Sequence, residues 1–339
     1  MPADQINIAL IGAGRIGRLH AENLAFRIPE ANLAAVADIF QEAAQRAADA
    51  FRIPLAVEDY HDLLKRDDID AVIVCSATDT HAQIVEEAAA AGKHVFCEKP
   101  IDHDLKKIDQ ALVAVTAAGV KLQVGFNRRF DPNFKRVHDL VAEGRIGEPR
   151  LLHITSHDPE PPPIDYIKVS GGIFLDMTIH DFDMARYLMG CEVEEVFVAG
   201  GIMVDPAIGA AGDVDTTLTV LRFENGAIGT IANCREARYG YDQRVELLGS
   251  LGNVSASNNY PNSVTVMDAN AVQRSKPLYF FLERYAESFL LEMRDFVDAV
   301  LTDRQPLVTG TDGRMPVVMG LAAWQSYREN RPVKLSEVG

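Results

Sequence analysis

In the first half of the chain, short apolar runs rich in β-branched residues alternate with segments whose apolar positions recur every three to four residues. The runs predict strands at 7–14, 32–38, 70–77, 93–100 and 121–130. The periodic segments predict helices at 15–27, 41–51, 81–92, 104–119 and 132–144. Continuous apolar runs are typical of strands buried on both faces of a parallel sheet. The β-α alternation therefore indicates a doubly wound fold.

The pattern changes after this region, because strands now follow one another with turn residues between them. They are predicted at 150–157, 193–202, 214–223, 227–234, 243–249 and 263–268, with helices at 171–190, 281–302 and 313–330. Such a series is typical of a largely antiparallel sheet. We predict an α/β protein with a Rossmann dinucleotide-binding domain at 1–125 and an α/β domain with an open sheet at 126–339. The last helices could return to the first domain.

Composition restricts the possible partners. The 339 residues include 33 Lys and Arg against 49 Asp and Glu, a formal net charge of -16. Such a charge repels nucleic acid and anionic lipid. No apolar run approaches the roughly 20 residues that span a bilayer. We therefore expect a small-molecule partner and neither nucleic acid nor membrane.

The cysteines and the N-terminus indicate a reducing compartment. The four cysteines are far apart in the sequence and form no CxxC pair, which argues against a zinc knuckle or a disulfide framework. The first residues, MPADQINIALIGAG, lack the basic and apolar regions of a signal peptide. We expect a cytoplasmic protein.

The segment GAGRIG, Gly12 to Gly17, has the G-x-G-x-x-G spacing. It follows a predicted strand and begins a predicted helix, which is the setting in which this spacing binds a dinucleotide. Gly12 would permit the tight turn, Gly14 would let the backbone approach the pyrophosphate, and Gly17 would let helix and strand pack closely. The helix N-terminus would then face the phosphates.

Asp38 ends the next predicted strand and would accept hydrogen bonds from the ribose hydroxyls. Its charge would repel a 2′-phosphate, so we expect NAD rather than NADP. The alternative is a doubly wound domain that uses this position differently. We interpret His20, in the following helix, as a packing or capping residue.

Lys99, in CEKP, lies at the carboxyl end of a predicted strand, where open α/β sheets bind ligands. It is either an ordinary surface amine or a donor to a substrate oxygen beside the nicotinamide. Position alone does not distinguish these roles.

The apolar segment GGIFLDMTIHDFDMARYLMG, 171–190, carries Asp176, His180, Asp183 and Tyr187 at spacings that form one stripe of a helix. The stripe could face solvent, join a polar network or hold a metal ion, although no third ligand is evident. It could also supply acid/base chemistry, since alcohol oxidation needs a base that titrates near neutral pH. His180 would be that base and Asp176 would orient its ring. Asp183 and Tyr187 are expected to serve structure.

With GAGRIG, CEKP, GFNRRFDP and DMTIHDFDMARYL together, the chain resembles the Gfo/Idh/MocA family of sugar oxidoreductases over essentially its full length. The likeness is greatest to members that oxidise inositol. It implies a Rossmann domain, a second domain whose open sheet forms a homo-oligomer (dimer or tetramer), and an active-site trio of Lys99, Asp176 and His180.

The resemblance also implies NAD-dependent oxidation of a ring hydroxyl of myo-inositol, or a close cyclic polyol, to a 2-keto-inositol, with no metal. Asn127 matches a position that differs among relatives. The expected cofactor-binding residues are Gly12, Gly14, Arg15, Ile16, Gly17, Asp38, Ala77, Thr78, His81, Glu98, Lys99 and Arg128. The expected substrate-binding residues are Lys99, Asn127, Asp158, Tyr166, Asp176, His180 and Tyr241.

Two other functions use the same features. A dehydrogenase or reductase of another sugar would need the same trio, since ring hydroxyls are chemically alike. A non-catalytic dinucleotide sensor could share the fold, but it would have no use for a base.

Overall fold

The computed structural model describes residues 5–339. Their chain divides into two compact units, one formed by the residues up to Asn127 together with Glu287–Met315, and the other by Arg128–Ala286 and Pro316–Gly339. The chain therefore leaves the first unit, builds most of the second, and returns. No helix among the described residues is long and apolar enough to cross a membrane.

Residues 5–127 contain six strands, five helices and the start of a 3-10 turn. In chain order they are β1 (Ile6–Ile11), α1 (Arg15–Arg27), β2 (Ala31–Ala37), α2 (Gln41–Phe51), β3 (Leu55–Val57), α3 (His61–Leu64), β4 (Ala71–Val74), α4 (Thr78–Ala90), β5 (His94–Glu98), α5 (Leu105–Ala118), β6 (Leu122–Gly125) and the 3-10 turn Asn127–Phe130.

The remaining elements are α6 (Pro132–Ala142), β7 (Pro149–His157), α7 (Ile164–Ile167), α8 (Gly172–Asp176), α9 (Thr178–Met189), β8 (Val193–Gly201), α10 (Pro206–Ala210), β9 (Thr216–Phe223), β10 (Ile228–Cys234), β11 (Asp242–Gly249), β12 (Asn253–Ala256), β13 (Thr265–Met267), β14 (Val272–Arg274), α11 (Phe281–Arg284), α12 (Ala286–Leu301), α13 (Gly310–Glu329), β15 (Val333–Lys334) and the 3-10 turn Leu335–Glu337.

The sheet of the first unit is parallel throughout, with strand order β3-β2-β1-β4-β5-β6. The order reverses between β1 and β4, which is where a doubly wound fold binds its ligand. The core includes Leu10, Ile73 and Phe96 of the strands and Met293 and Phe296 of α12, all fully buried. Strands buried on both faces explain the continuous apolar runs. The predicted Rossmann fold is confirmed.

The second unit is built on a seven-stranded sheet of order β12-β11-β7-β10-β9-β8-β15. Every neighbouring pair is antiparallel except β7 with β10. Helix α9 packs against β7 and β10. Strand residues alternate between a buried face, with Leu221 and Ile231, and a more exposed face, with Leu218 and Ile228. The predicted, largely antiparallel sheet is confirmed.

Among the predicted elements that are wrong in detail, two contain residues of the predicted site. The strand expected over 121–130 ends at Gly125, and 127–130 forms a 3-10 turn whose arginines are buried with aspartates. The helix expected over 171–190 is interrupted at Met177, whose ψ of -60 with φ of -96 departs from regular helix geometry and separates α8 from α9.

Candidate active site

The glycine-rich turn between β1 and α1 has the backbone geometry that a dinucleotide needs. Gly12 has a φ of +97, and a Cβ there would lie 2.5 Å from the Cys75 carbonyl oxygen. A Cβ on Gly17 would lie 2.0 Å from the Gly12 carbonyl oxygen. Gly14 is exposed, and no protein atom lies within 4 Å of the Cβ position built there. The turn is therefore tightly packed at both ends and open in the middle.

Two further features fit a dinucleotide at this turn. The N-cap of α1 is Gly14, which provides no side-chain cap for the first helical amides. Such amides, together with the helix dipole, bind phosphate. Asp38 accepts hydrogen bonds from the backbone of Ala13 at 2.8 Å and Phe40 at 2.9 Å, which fixes its carboxylate beside the turn. The residues present thus fit the expected dinucleotide.

The next predicted cofactor segment precedes and begins α4. Ala77 is the N-cap, and Thr78 opens the helix. His81 is buried, with Nδ1 2.9 Å from the Pro100 carbonyl oxygen and Nε2 3.0 Å from that of Ser76. His81 therefore joins the loop after β4 to the loop after β5. His81 can therefore contribute to cofactor binding, as predicted, by holding these two loops in position.

Glu98 ends β5 and precedes Lys99. Its Oε1 lies 2.7 Å from Nε2 of His20, and its Oε2 accepts the Lys99 backbone N–H at 3.3 Å. A Cβ on Gly125 would lie 2.9 Å from Oε2, so the glycine leaves room for this carboxylate. Lys99 itself is partly exposed. The sequence indicated a packing or capping role for His20 and did not reveal its hydrogen bond to Glu98.

In the second unit, Asp176 and His180 lie on the two sides of the break at Met177. Asp176 accepts hydrogen bonds from the Tyr166 hydroxyl at 2.8 Å and from Arg235 at 3.2 Å. His180 is partly exposed and lies in the first turn of α9. Because of this break, Asp176 and His180 do not lie on one continuous helix. The single helical stripe predicted from the sequence therefore does not describe how the two side chains are oriented.

Arg235 is a buried residue that the sequence reasoning missed. Its side chain is 1% exposed, and it contacts Asp176 at 3.2 Å and Asp213 at 3.4 Å. Asp213 also accepts the Ile173 backbone N–H at 2.9 Å, at the start of α8. Arg235 thus connects the end of β10 to α8. The sequence signal was an arginine directly after a predicted apolar strand, which is too common to single out.

The predicted substrate residues Asp158 and Tyr241 belong to the same unit. Burial raises the pKa of Asp158 to about 7, an effect that Arg235 opposes. Burial also raises the pKa of the Tyr241 hydroxyl well above its ordinary value. Asp158 therefore changes charge near neutral pH, while Tyr241 stays protonated and can donate a hydrogen bond.

Arg128 and Asn127 are both buried. Arg128 donates to Asp181 at 2.5 Å and to the Tyr241 hydroxyl at 3.4 Å. Asp181 is fully buried and also accepts from Asn233 at 2.8 Å. Asn127, in the first unit, donates to Ser288 at 3.4 Å. The cofactor role of Arg128 and the substrate role of Asn127 stay predictions.

The remaining members of the stripe form a separate network. Asp183 is buried and receives hydrogen bonds from Arg129 at 2.6, 3.0 and 3.1 Å. The guanidinium of Arg129 lies 5.1 Å from the ring centroid of Tyr187, which also stacks on His138 at 4.0 Å. These contacts fix α9 and support a structural role for Asp183 and Tyr187.

Comparison with known proteins agrees with this geometry. The model described as "Oxidoreductase family, NAD-binding Rossmann fold" of Gfo/Idh/MocA matches residues 6–126, and the model of the Gfo/Idh/MocA C-terminal domain matches 134–255. The chain belongs to the Gfo/Idh/MocA family. The first unit therefore carries the NAD-binding fold of this oxidoreductase family, and NAD is its cofactor.

Three relatives show how far the likeness extends. The chain is 50% identical to myo-inositol 2-dehydrogenase of Thermotoga maritima, over 98% of this chain and 99% of that protein. It is 43% identical to inositol 2-dehydrogenase of Rhizobium meliloti, over 98% and 99%. The crystal structure of scyllo-inositol dehydrogenase from Lactobacillus casei, with bound NAD(H) and scyllo-inositol, is 32% identical, with a TM-score of 0.92 over 98% and 99%.

Proposed function

We propose that this protein oxidises a ring hydroxyl of myo-inositol to the 2-keto-inositol with NAD. The observation that carries the proposal is the full-length, 50% identity to a myo-inositol 2-dehydrogenase. The geometry of the glycine-rich turn and the presence of Lys99, Asp176 and His180 support it.

The proposed reaction removes a hydride from the ring carbon and a proton from its hydroxyl, and leaves a ketone. NAD supplies the hydride acceptor when it is bound. His180 takes the hydroxyl proton, because an imidazole is basic enough near neutral pH and partly exposed here. Lys99 donates a hydrogen bond to the same oxygen and stabilises negative charge as the proton leaves.

Asp176 is proposed to stabilise the charged imidazole of His180. Its own position is set by Tyr166 and Arg235, which donate to different carboxylate oxygens. The buried Arg235 guanidinium contacts the Asp176 carboxylate at 3.2 Å and holds it in place. A carboxylate at this position favours the protonated form of His180 after proton transfer.

The polyol itself needs several hydrogen-bond partners. We propose that Asp158 accepts from a substrate hydroxyl in its ionised form and that Tyr241 donates to one. Tyr166 and Asn127 are the further polar contacts. On the cofactor side, Asp38 is proposed to bind the ribose hydroxyls, and the backbone from Gly12 to Gly17 the pyrophosphate.

We also propose that the protein forms a dimer or tetramer through its seven-stranded sheet. The more exposed face of that sheet carries Leu218, Ile228 and Leu248, each more than 40% exposed. An apolar sheet face of this kind is typical of an interface. Light scattering after gel filtration tests this, and a monomer would contradict it.

Because the reaction draws on NAD, we propose a cytoplasmic location.

The substrate is tested by the absorbance of reduced nicotinamide with NAD or NADP and a panel of polyols. We expect turnover with NAD and myo-inositol, and little with NADP. Preference for scyllo-inositol would retain the chemistry and change the isomer. Turnover only with another sugar would contradict the inositol assignment, and tight NAD binding without any turnover would indicate a sensor.

The catalytic base is tested with His180→Ala. We expect kcat to fall by about two to four orders of magnitude, the usual contribution of an acid/base group, with little change in NAD affinity. His153→Ala is the matched control, because His153 is an exposed histidine of the same unit. Near-normal turnover in His180→Ala would exclude the proposed base.

The cofactor preference is tested with Asp38→Ala. Loss of this carboxylate should weaken NAD binding and ease the entry of NADP. Unchanged affinities for both nucleotides, measured by fluorescence titration, would show that Asp38 does not contact the ribose.

A further inference from the structure

The interior of the first unit contains a polar cluster that the proposed reaction does not use. His20 of α1 and Glu292 of α12 are both 0% exposed, and Glu98 of β5 is the third member. One nitrogen or oxygen atom from each lies within 4.8 Å of the others. A fully buried glutamate beside a second carboxylate is costly unless its charge is neutralised.

Hydrogen bonding within the cluster is unequal. His20 Nε2 lies 2.7 Å from Glu98 Oε1 but 3.9 Å from Glu292 Oε1. Among residues 5–339, neither carboxylate oxygen of Glu292 has a hydrogen-bond partner. The His20 ring is fixed by edge contacts with Phe96 and Phe289, at centroid distances of 5.2 and 5.9 Å. The imidazole therefore bonds Glu98 and leaves Glu292 without a donor.

We propose that Glu292 is retained as a neutral carboxylic acid, so that His20 bonds Glu98 alone and holds the end of β5 from which Lys99 extends. His20 and Glu292 are then positioning residues for Lys99. This last step rests on the proposed function, whereas the protonation of Glu292 does not.

The surroundings of Glu292 favour its neutral form. Burial and the negative charge of Glu98 raise the pKa of Glu292 well above its ordinary value. Burial likewise raises the pKa of Cys75 and of Cys97, so both thiols near the cluster stay uncharged. From β6, Gln123 donates to the Glu292 backbone carbonyl at 2.8 Å, not to its carboxyl group.

A divalent metal ion is the other possible occupant of such a cluster. Ligands of a tetrahedral zinc ion, each about 2.0–2.1 Å from the metal, are about 3.3 Å apart. The 2.7 Å separation of His20 Nε2 and Glu98 Oε1 is instead that of a charge-assisted hydrogen bond. The geometry favours a proton.

The test is Glu292→Gln, which replaces a neutral acid by a neutral amide of the same shape. A group with a raised pKa stabilises the fold fully below its unfolded pKa, and this contribution is lost as pH rises through the folded pKa. The folding equilibrium constant of the variant relative to the wild type should therefore rise about tenfold per pH unit above about pH 5. Glu287→Gln, at an exposed position of α12, should leave the ratio constant.

Infrared difference spectra give an independent measurement. At pH 7 the wild type should show a protonated carboxyl band that Glu292→Gln lacks. A ratio of folding constants that does not rise with pH, a variant that fails to fold, or stoichiometric metal in the purified protein would each overturn the proposal.

The positioning role is tested at His20. His20→Ala should lower kcat at least tenfold with a smaller change in KM for the polyol, and His20→Gln, whose amide nitrogen can replace Nε2 as donor, should recover much of it. Equal activity of the three proteins would overturn the positioning role. If no polyol is oxidised, the proposed function fails, and the unfolding and infrared measurements still decide the state of Glu292.

Discussion

Asp183 of the second unit and Glu292 of the first show two opposite ways of burying a carboxyl group. In the second unit, Asp183 is paired with Arg129, and Asp176 with Arg235. In the first unit, Glu292 is fully buried, and the nitrogen that faces it, on His20, is bonded to another acid. These acids of the second unit are stabilised as anions by a guanidinium, whereas Glu292 of the first unit loses its charge by retaining a proton.

This difference bears on what each acid can do. A carboxylate that contacts a guanidinium can stabilise a nearby positive charge, which is what the proposed base requires of Asp176. A neutral acid exerts no such field and is suited to holding neighbours in place. Equal burial therefore does not imply equal chemistry, and the partner decides the role.

The largest expected effect follows from removing a guanidinium. Arg235→Met leaves buried Asp213 and partly buried Asp176 without their cation and should lower the free energy of unfolding by about 3 kcal/mol. The loss should be smaller at low pH, where both acids are protonated. Thermal unfolding and kcat against pH measure this.

Arg129→Met is the matched control, because it removes a guanidinium from a pair with no proposed catalytic part. It should cost similar stability without changing the pH profile of kcat. Identical profiles for the two variants would contradict the proposed link from Arg235 to the base.

A second prediction applies the same acid-to-amide change in both units. Asp183→Asn removes the charge that neutralises buried Arg129 and should cost about 3 kcal/mol in the free energy of unfolding at pH 7. Glu292→Gln at the same pH should cost nothing or stabilise. Denaturant unfolding of both variants measures the difference, and equal losses would remove the contrast between the units.

A third prediction concerns Asp158, whose pKa is raised to about 7. If its carboxylate accepts from the polyol, KM for the polyol should fall about tenfold as pH rises from 6 to 8, because the acceptor becomes ionised. Asp158→Asn should remove this dependence. The same raised pKa means that the contribution of Asp158 to stability is lost as pH rises through 7. A wild-type KM that is constant over this range would argue against the contact.

The smallest effect is expected at the surface. Asp68 forms a pair with Arg66 at 2.6 Å, but both side chains are exposed. Asp68→Asn should not change the melting temperature measurably, because exposed ion pairs contribute little. A clear loss here would show that charge, rather than burial, governs the effects above.

Local patterns predicted much of the fold. The helix α1 and the helix α2 have the bounds expected from periodicity, since each presents one apolar face to the sheet. Short elements such as β3 and α10 were not predicted, because three to five residues show no usable period. The break at Met177 was also missed, because apolar residues continue across it.

The residues of the candidate site also differ in whether the sequence could predict them. Gly12 and Gly17 were assigned from spacing, because a close approach of backbone to backbone excludes a side chain at those positions. Arg235 and Glu292 could not be found this way. Their partners lie far away in sequence, and neither residue belongs to a motif.

The sequence by itself determined the fold class, the glycine-rich turn and the polar residues within an apolar helix, because periodicity and steric limits act over neighbouring residues. Only the tertiary structure decided which buried acid has a guanidinium and which does not. Charge in the interior depends on solvation and on the nearest ionised group, and both are set by contacts between residues distant in the chain.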